Sequence, residues 1–237
     1  MLPSPLQHTQ STFSQECLEG LEQSAKLCQE LGYDVDEVTP PIDKQHFAHA
    51  FARMLCAEVA AEIGQAAKTM QSKVDRADFE SATWAMGVLG QTISAGPIVQ
   101  AQRDIGQIAR EFAEWTMTYD IVLTPTLAKP PLRIGESLPT GMDAIALRVL
   151  RGIGAGRTLL KLSMLDSLAA EAFDFMPTTL LYNMTGQPAM SVPLYWCDSG
   201  LPMGMHSSAQ LGEEALLLRL AGQLEEASPW AHRRPST

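Results

Sequence analysis

The sequence predicts an α/β layered fold. Apolar residues recur at three- and four-residue spacing from Ser14 to Leu31, a short apolar run at Ile121 to Leu123 is closed by Asp120 and Pro125, and two strand-patterned segments follow at Ala189 to Tyr195 and Met203 to Ala209. Helices that alternate with short buried strands must bury one against the other in layers. With 237 residues, 46% hydrophobic and 19% charged, the chain has the apolar content of a folded core rather than of a disordered one.

Taken in order, Leu18, Leu21, Ala25, Cys28 and Leu31 line one side of a first helix, and Gly32 stops it. Tyr33, Val35 and Val38 among acidic residues predict a short strand that ends at Pro40-Pro41. Asp43 to Ala67 is a second helix, with Phe47, Phe51, Met54, Leu55 and Val59 on its apolar side. A polar stretch near Lys68 to Asp78 precedes further helix, and Val99 to Tyr119 turns Ile105, Ile108, Phe112 and Trp115 inward. Ile121 to Leu123 reads as a strand covered on both faces. Pro130, Pro131, Gly135, Pro139 and Gly141 mark an irregular loop, and Met142 to Asp166 resumes mixed helical patterning. The last two strands join through Asp198, Ser199 and Gly200, and Gly212 to Ala227 closes the chain as a Leu-rich helix. The whole reads as one domain over 1–237, with flexible ends at 1–13 and 231–237.

A net charge of −10 opposes any sequence-independent grip on nucleic acid or anionic lipid, so neither is an expected partner. Two uncharged stretches, Ser81 to Gln102 and Phe175 to Cys197, are long enough to cross a bilayer. Their Gly, Pro, Gln and Asn residues would leave polar groups unsatisfied there, so both read as buried protein. The first residues lack the basic and apolar regions of a secretory signal, which makes the cytoplasm the expected compartment. Cys17, Cys28, Cys56 and Cys197 form no C-x-x-C pair and read as free thiols.

Few motifs carry chemistry. Gly152, Gly154 and Gly156 between Arg151 and Arg157 lack the preceding strand and the spacing of a phosphate loop, and read as a loop. His46 and His49 sit three apart on a helix but have no third ligand, so no metal is expected. No G-x-S-x-G elbow and no Gly-Gly dipeptide is present. Ser207-Ser208 reads as two strand hydroxyls, one facing the core. Phe175 to Cys197 stands apart: its Thr178, Thr179, Asn183, Thr185 and Gln187 need hydrogen-bond partners, which predicts an irregular backbone held in a fixed shape.

Asp120 to Ala128 (DIVLTPTLA), Asn183 to Pro193 (NMTGQPAMSVP), Gly200 to Gly204 (GLPMG), Glu214 to Leu217 and Leu224 to Ala227 together resemble the C-terminal half of amidase signature enzymes, over about Cys17 to Trp230. Phe51 to Ala57 (FARMLCA) is most similar to the branch that opens 6-aminohexanoate cyclic dimer. The resemblance implies a layered α/β/α fold with a mixed sheet flanked by helices. It also implies amide hydrolysis by a Ser nucleophile, a bridging Ser in a cis peptide and a Lys base. Those residues belong to the family's N-terminal half, so no catalytic residue is carried over to this chain and no cofactor is expected. Cys56, Thr126, Asn183 and Thr185 are the residues expected to meet substrate. Where the family commonly has Gln after the Gly-x-Pro-x-Gly-x run, this chain has His206.

Two functions remain open at this point. One is a portion of an amide hydrolase that is inactive alone and takes a small amide substrate only when joined to the missing half, with self-association or a partner chain expected. The other is a non-catalytic binding or structural remnant of the same fold.

Overall fold

In the computed structural model the described residues are 13–132, 169–170 and 173–234. The chain divides into two compact units, one of residues 1–42, 108–133 and 172–237 and the other of residues 43–107 and 134–171. Most of the loop after Pro131, the helical patterning of Met142 to Asp166 and the glycines at 152, 154 and 156 lie outside the described residues.

The first unit is built on a three-stranded sheet: β1 (Ile121–Pro125), β2 (Ala189–Trp196) and β3 (Pro202–Ala209), in the order β1-β3-β2. Both described ladders are antiparallel, where a mixed sheet was expected. α1 (Gln15–Glu30) and α6 (Glu214–Ala227) pack against it. Ser14 caps α1 by accepting from the Cys17 N–H, a bond worth about 1 kcal/mol in typical helices. The buried side of α1 carries Cys17, Leu21, Ser24, Ala25 and Cys28, whereas Leu18 is half-buried and Leu31 is exposed. Ser24 tolerates burial because its hydroxyl donates to the Gly20 carbonyl at 2.7 Å. Phe13 is buried with Cys17 and Leu21, and the Ser14 N–H donates to the Ala128 carbonyl.

The strand expected at Tyr33 to Val38 does not form. A strand exists only as a member of a ladder, and no described segment pairs with this one. Val35 still packs inward, against the cluster of Cys28, Val192, Leu220 and Leu224. α5 (Thr179–Thr185) is a short helix inside the uncharged Phe175 to Cys197 segment, which is more regular than expected: one helix, a turn at Gly186, then β2.

The second unit holds α2 (Lys44–Thr69) and α3 (Ser81–Gly90), which pack on each other. α2 starts at Asp43, whose carboxylate accepts from the His46 N–H at 2.9 Å. It buries Phe47, Ala48, Ala50, Phe51, Ala52, Cys56 and Ile63, while Met54, Leu55 and Val59 are only half-buried. α4 (Ala95–Thr116) buries Ala101, Ile105, Ile108 and Phe112, and Trp115 is half-buried. None of the described helices is long and apolar enough to cross a membrane.

Candidate functional site

The register of the sheet decides which side chains share a face, because residues directly opposite in an antiparallel ladder point the same way. Thr124 lies opposite His206, and His206 opposite Ser191; Val122 lies opposite Ser208, and Ser208 opposite Ala189. Gly204, two residues before His206, falls on the same side. This front face is therefore lined with hydroxyls around one imidazole.

α5 lies close to it. Thr178 donates its hydroxyl to the Pro125 carbonyl at 3.0 Å, which fixes the start of α5 at the end of β1. Tyr182 then reaches His206, with ring centroids 4.8 Å apart, and its hydroxyl is hydrogen-bonded to Ser208. Phe112 meets the same tyrosine edge-on at 5.6 Å. Burial pushes the Tyr182 phenol up to about 12 and the His206 imidazole down to about 4, so both are neutral at pH 7. His206 is 5% exposed, and neither its Nδ1 nor the Thr124 hydroxyl has a partner among the described residues.

Thr126 and Ser191 form the open end of the face. Their hydroxyls are 2.6 Å apart, and the Thr126 N–H donates to the Gly204 carbonyl at 3.0 Å. A Cβ at Gly204 would overlap both hydroxyls, so the absence of a side chain there is what allows the pair to meet.

The four residues expected to meet substrate do not share one environment. Thr126 is half-buried at the front face, Asn183 is exposed on α5, and Thr185 is half-buried and bonded to Gln187 at 3.3 Å. Gln187 is itself buried and donates to the Thr116 hydroxyl at 3.0 Å. Cys56 lies in the second unit, 0% exposed, with burial pushing its thiol up to about 12. The backbone of Gly90 sits so close that a Cβ there would overlap the Cys56 carbonyl. Ser207 and Ser208 are both buried, where one core-facing hydroxyl was expected, because β3 is covered on both faces. His46 is exposed, with its Nε2 at 3.5 Å from Asp104 Oδ2. No group of three or more His, Cys, Asp or Glu that could hold a metal occurs among the described residues.

Sequence reasoning missed the buried cluster of Thr124, Tyr182, His206 and Ser208. Its signal was a period-two alternation, Gly204, His206, Ser208, within a strand that has no solvent-facing side.

The family model described as Amidase matches residues 5–218, and the chain belongs to that family. It is 30% identical over 208 residues to the putative amidase AmiC of Mycobacterium leprae, covering 88% of this chain and 39% of that protein. It is 27% identical over 223 residues to the 6-aminohexanoate-cyclic-dimer hydrolase of Paenarthrobacter ureafaciens, covering 93% and 42%. Among solved structures, that of a 6-aminohexanoate cyclic dimer hydrolase complexed with substrate superposes with a TM-score of 0.77 at 24% identity, over 99% of this chain and 46% of that one. The chain thus spans less than half the length of these relatives.

Proposed function

We propose that the chain is a portion of a Ser-cisSer-Lys amide hydrolase whose nucleophile, bridging serine and lysine base lie on sequence outside it, and that alone it does not turn over amides. The observation that carries this reading is the family match across most of the chain set against the share of its relatives that it spans, 39% and 42%. The chemistry of the front face supports it. The Thr126 and Ser191 hydroxyls bond to each other, and the His206 imidazole on the same face is buried, neutral and tilted against a tyrosine, so among the described residues no strong base stands ready to activate either oxygen.

Within this reading the front face is substrate-facing scaffold. Thr126, Asn183 and Thr185 keep polar atoms at or near the surface and are the residues assigned to the amide. Cys56, closed beneath Gly90, is assigned to the contact between α2 and α3. In the cell the protein would act in the cytoplasm, joined to the remainder of the fold.

The test is turnover of small aryl amides and of 6-aminohexanoate cyclic dimer, first by the purified chain and then after co-expression with a polypeptide bearing the Gly/Ser-rich loop, the two serines and the lysine. No turnover alone, and turnover on co-expression that is weakened by Thr126→Val, is the expected result. Turnover by the pure chain, lost on substituting any one of its own residues, overturns it.

A further inference from the structure

We propose that the open edge of β1 and the segment Tyr33 to Asp36 form a slot for one additional β-strand, supplied by the part of the amidase fold that this chain does not span. The inference rests on the reading of the chain as a portion of that fold, and goes beyond it by naming the surface where the remainder joins.

β1 is an edge of the described sheet, paired on one side with β3. Which of its backbone groups face outward follows from two hydrogen bonds. The Thr126 N–H goes to Gly204, and the N–H of Ala209, opposite Ile121, goes to Pro188 on the far side of β3. Pairing alternates along an antiparallel ladder, so Val122, Thr124 and Thr126 bond toward β3 while Ile121 and Leu123 direct their N–H and C=O groups to the open side. Pro125, the next outward position, has no N–H to offer.

A cavity of about 370 Å³ lies along that edge. Thr118, Tyr119, Ile121 and Leu123 line it, and so do Tyr33 to Asp36. Tyr33 is anchored by a hydrogen bond from its hydroxyl to Gln223 of α6. This is the segment whose sequence is patterned as a strand and which has no described strand to pair with. Ser207 also lines the cavity; it is 0% exposed, and its hydroxyl has no partner among the described residues. An edge left unpaired among the described residues and a strand-patterned segment with no described partner, both lining one cavity, are together what an added strand would complete.

The chemistry of the occupant follows from the lining. Adding a strand to an edge draws its affinity from main-chain hydrogen bonds and its selectivity from side chains. Asp34, Asp36 and Asp120 border the slot, with no Lys or Arg among its lining residues. The inserted strand therefore carries apolar side chains over Leu216 and Leu220, and Lys or Arg where it passes the three carboxylates.

The probe is a set of synthetic peptides of about 12 residues, long enough for one strand. They tile the part of the Paenarthrobacter ureafaciens 6-aminohexanoate-cyclic-dimer hydrolase that lies outside its match to this chain, and each is added to the intact protein. The result expected is that one contiguous group of tiles binds and slows amide hydrogen exchange at Ile121 and Leu123. Ile121→Pro removes an outward N–H at the first position of the strand without touching the β1–β3 ladder, and should weaken those tiles about tenfold, the scale of one lost backbone bond. If that variant does not fold, the exchange pattern of the unsubstituted chain decides alone. The proposal is overturned if no tile binds, if exchange slows only elsewhere, or if Ile121→Pro folds and binds equally well. It is also overturned if Ile121 and Leu123 become protected simply on raising the protein concentration, which would make a second copy the occupant. None of these readings uses catalysis, so the slot can fail while the amidase assignment stands, and turnover by the chain alone would sink the assignment while leaving the exchange data intact.

Discussion

On the back of the sheet, Leu123, Met190, Val192, Met203 and Met205 meet α1 and α6 through apolar atoms. On the front, one residue further along each strand, stand Thr124, Ser191, Gly204, His206 and Ser208. Both sides of β3 are closed to water, yet they hold the sheet by different physics. The back face gains from area removed from water, which is non-directional and degrades gradually when a group is trimmed. The front face has to balance each buried polar atom with a partner, and its energy changes sign with whether the partner is there. The Thr124 hydroxyl and the His206 Nδ1, which have no partner among the described residues, thus cost stability that the back face must cover.

The largest expected effect is on the back. Met205 is fully buried between β3 and α1, and Met205→Ala leaves a cavity that packing cannot close. A loss of about 2 to 5 kcal/mol is expected, measured by denaturant unfolding with an unchanged m-value. A loss under about 1 kcal/mol would mean that α1 collapses onto the gap, and that the back face is less tightly packed than its burial indicates.

Next in size is the pH response of the front. His206 titrates at about 4 in the fold, against about 6.5 when exposed. Between those values the unfolded chain takes up a proton that the folded one refuses. Stability is therefore complete above about pH 6.5 and declines as the pH falls toward 4, by up to about 3 kcal/mol from this one group. His206→Gln removes the titrating ring, so its stability between pH 7 and 4.5 should fall less steeply than that of the parent. Parallel pH profiles for the two proteins would show instead that the imidazole is relieved by local opening.

The difference between the faces also explains what could be read in advance. Helix positions and strand boundaries rest on apolar spacing, and α1, α2, α4, β1, β2, β3 and α6 fall close to where that spacing puts them. Side-chain roles at polar positions rest on what lies opposite, and sequence order does not contain it. Thr124 and His206 are 82 positions apart in the chain and adjacent only through the β1–β3 register. Cys56 was read from the sequence as a residue that meets substrate, and that the Gly90 backbone closes over it depends on how α3 docks. Tyr33 to Val38 failed for a third reason: its pattern describes one strand correctly, but a ladder takes two.

Ser207 and Ser208 give the finest form of the comparison, since they are consecutive, chemically identical and both buried, and differ only in face. Ser208 is hydrogen-bonded to the Tyr182 phenol, so Ser208→Ala leaves a buried hydroxyl with no partner. A loss of about 1 to 3 kcal/mol is expected. Ser207 has no partner to abandon among the described residues, and Ser207→Ala removes a desolvated hydroxyl while keeping the backbone and nearly the same volume. Its stability should stay within about 0.5 kcal/mol of the parent or rise slightly, because deleting an unsatisfied polar atom relieves a cost instead of creating one. Thermal and denaturant unfolding of the two variants side by side checks the contrast. Equal losses would show that the Ser207 hydroxyl is bonded in solution, either to water in the cavity beside β1 or to a neighbouring side chain that turns toward it. The asymmetry between the faces would then lie in the apolar packing alone.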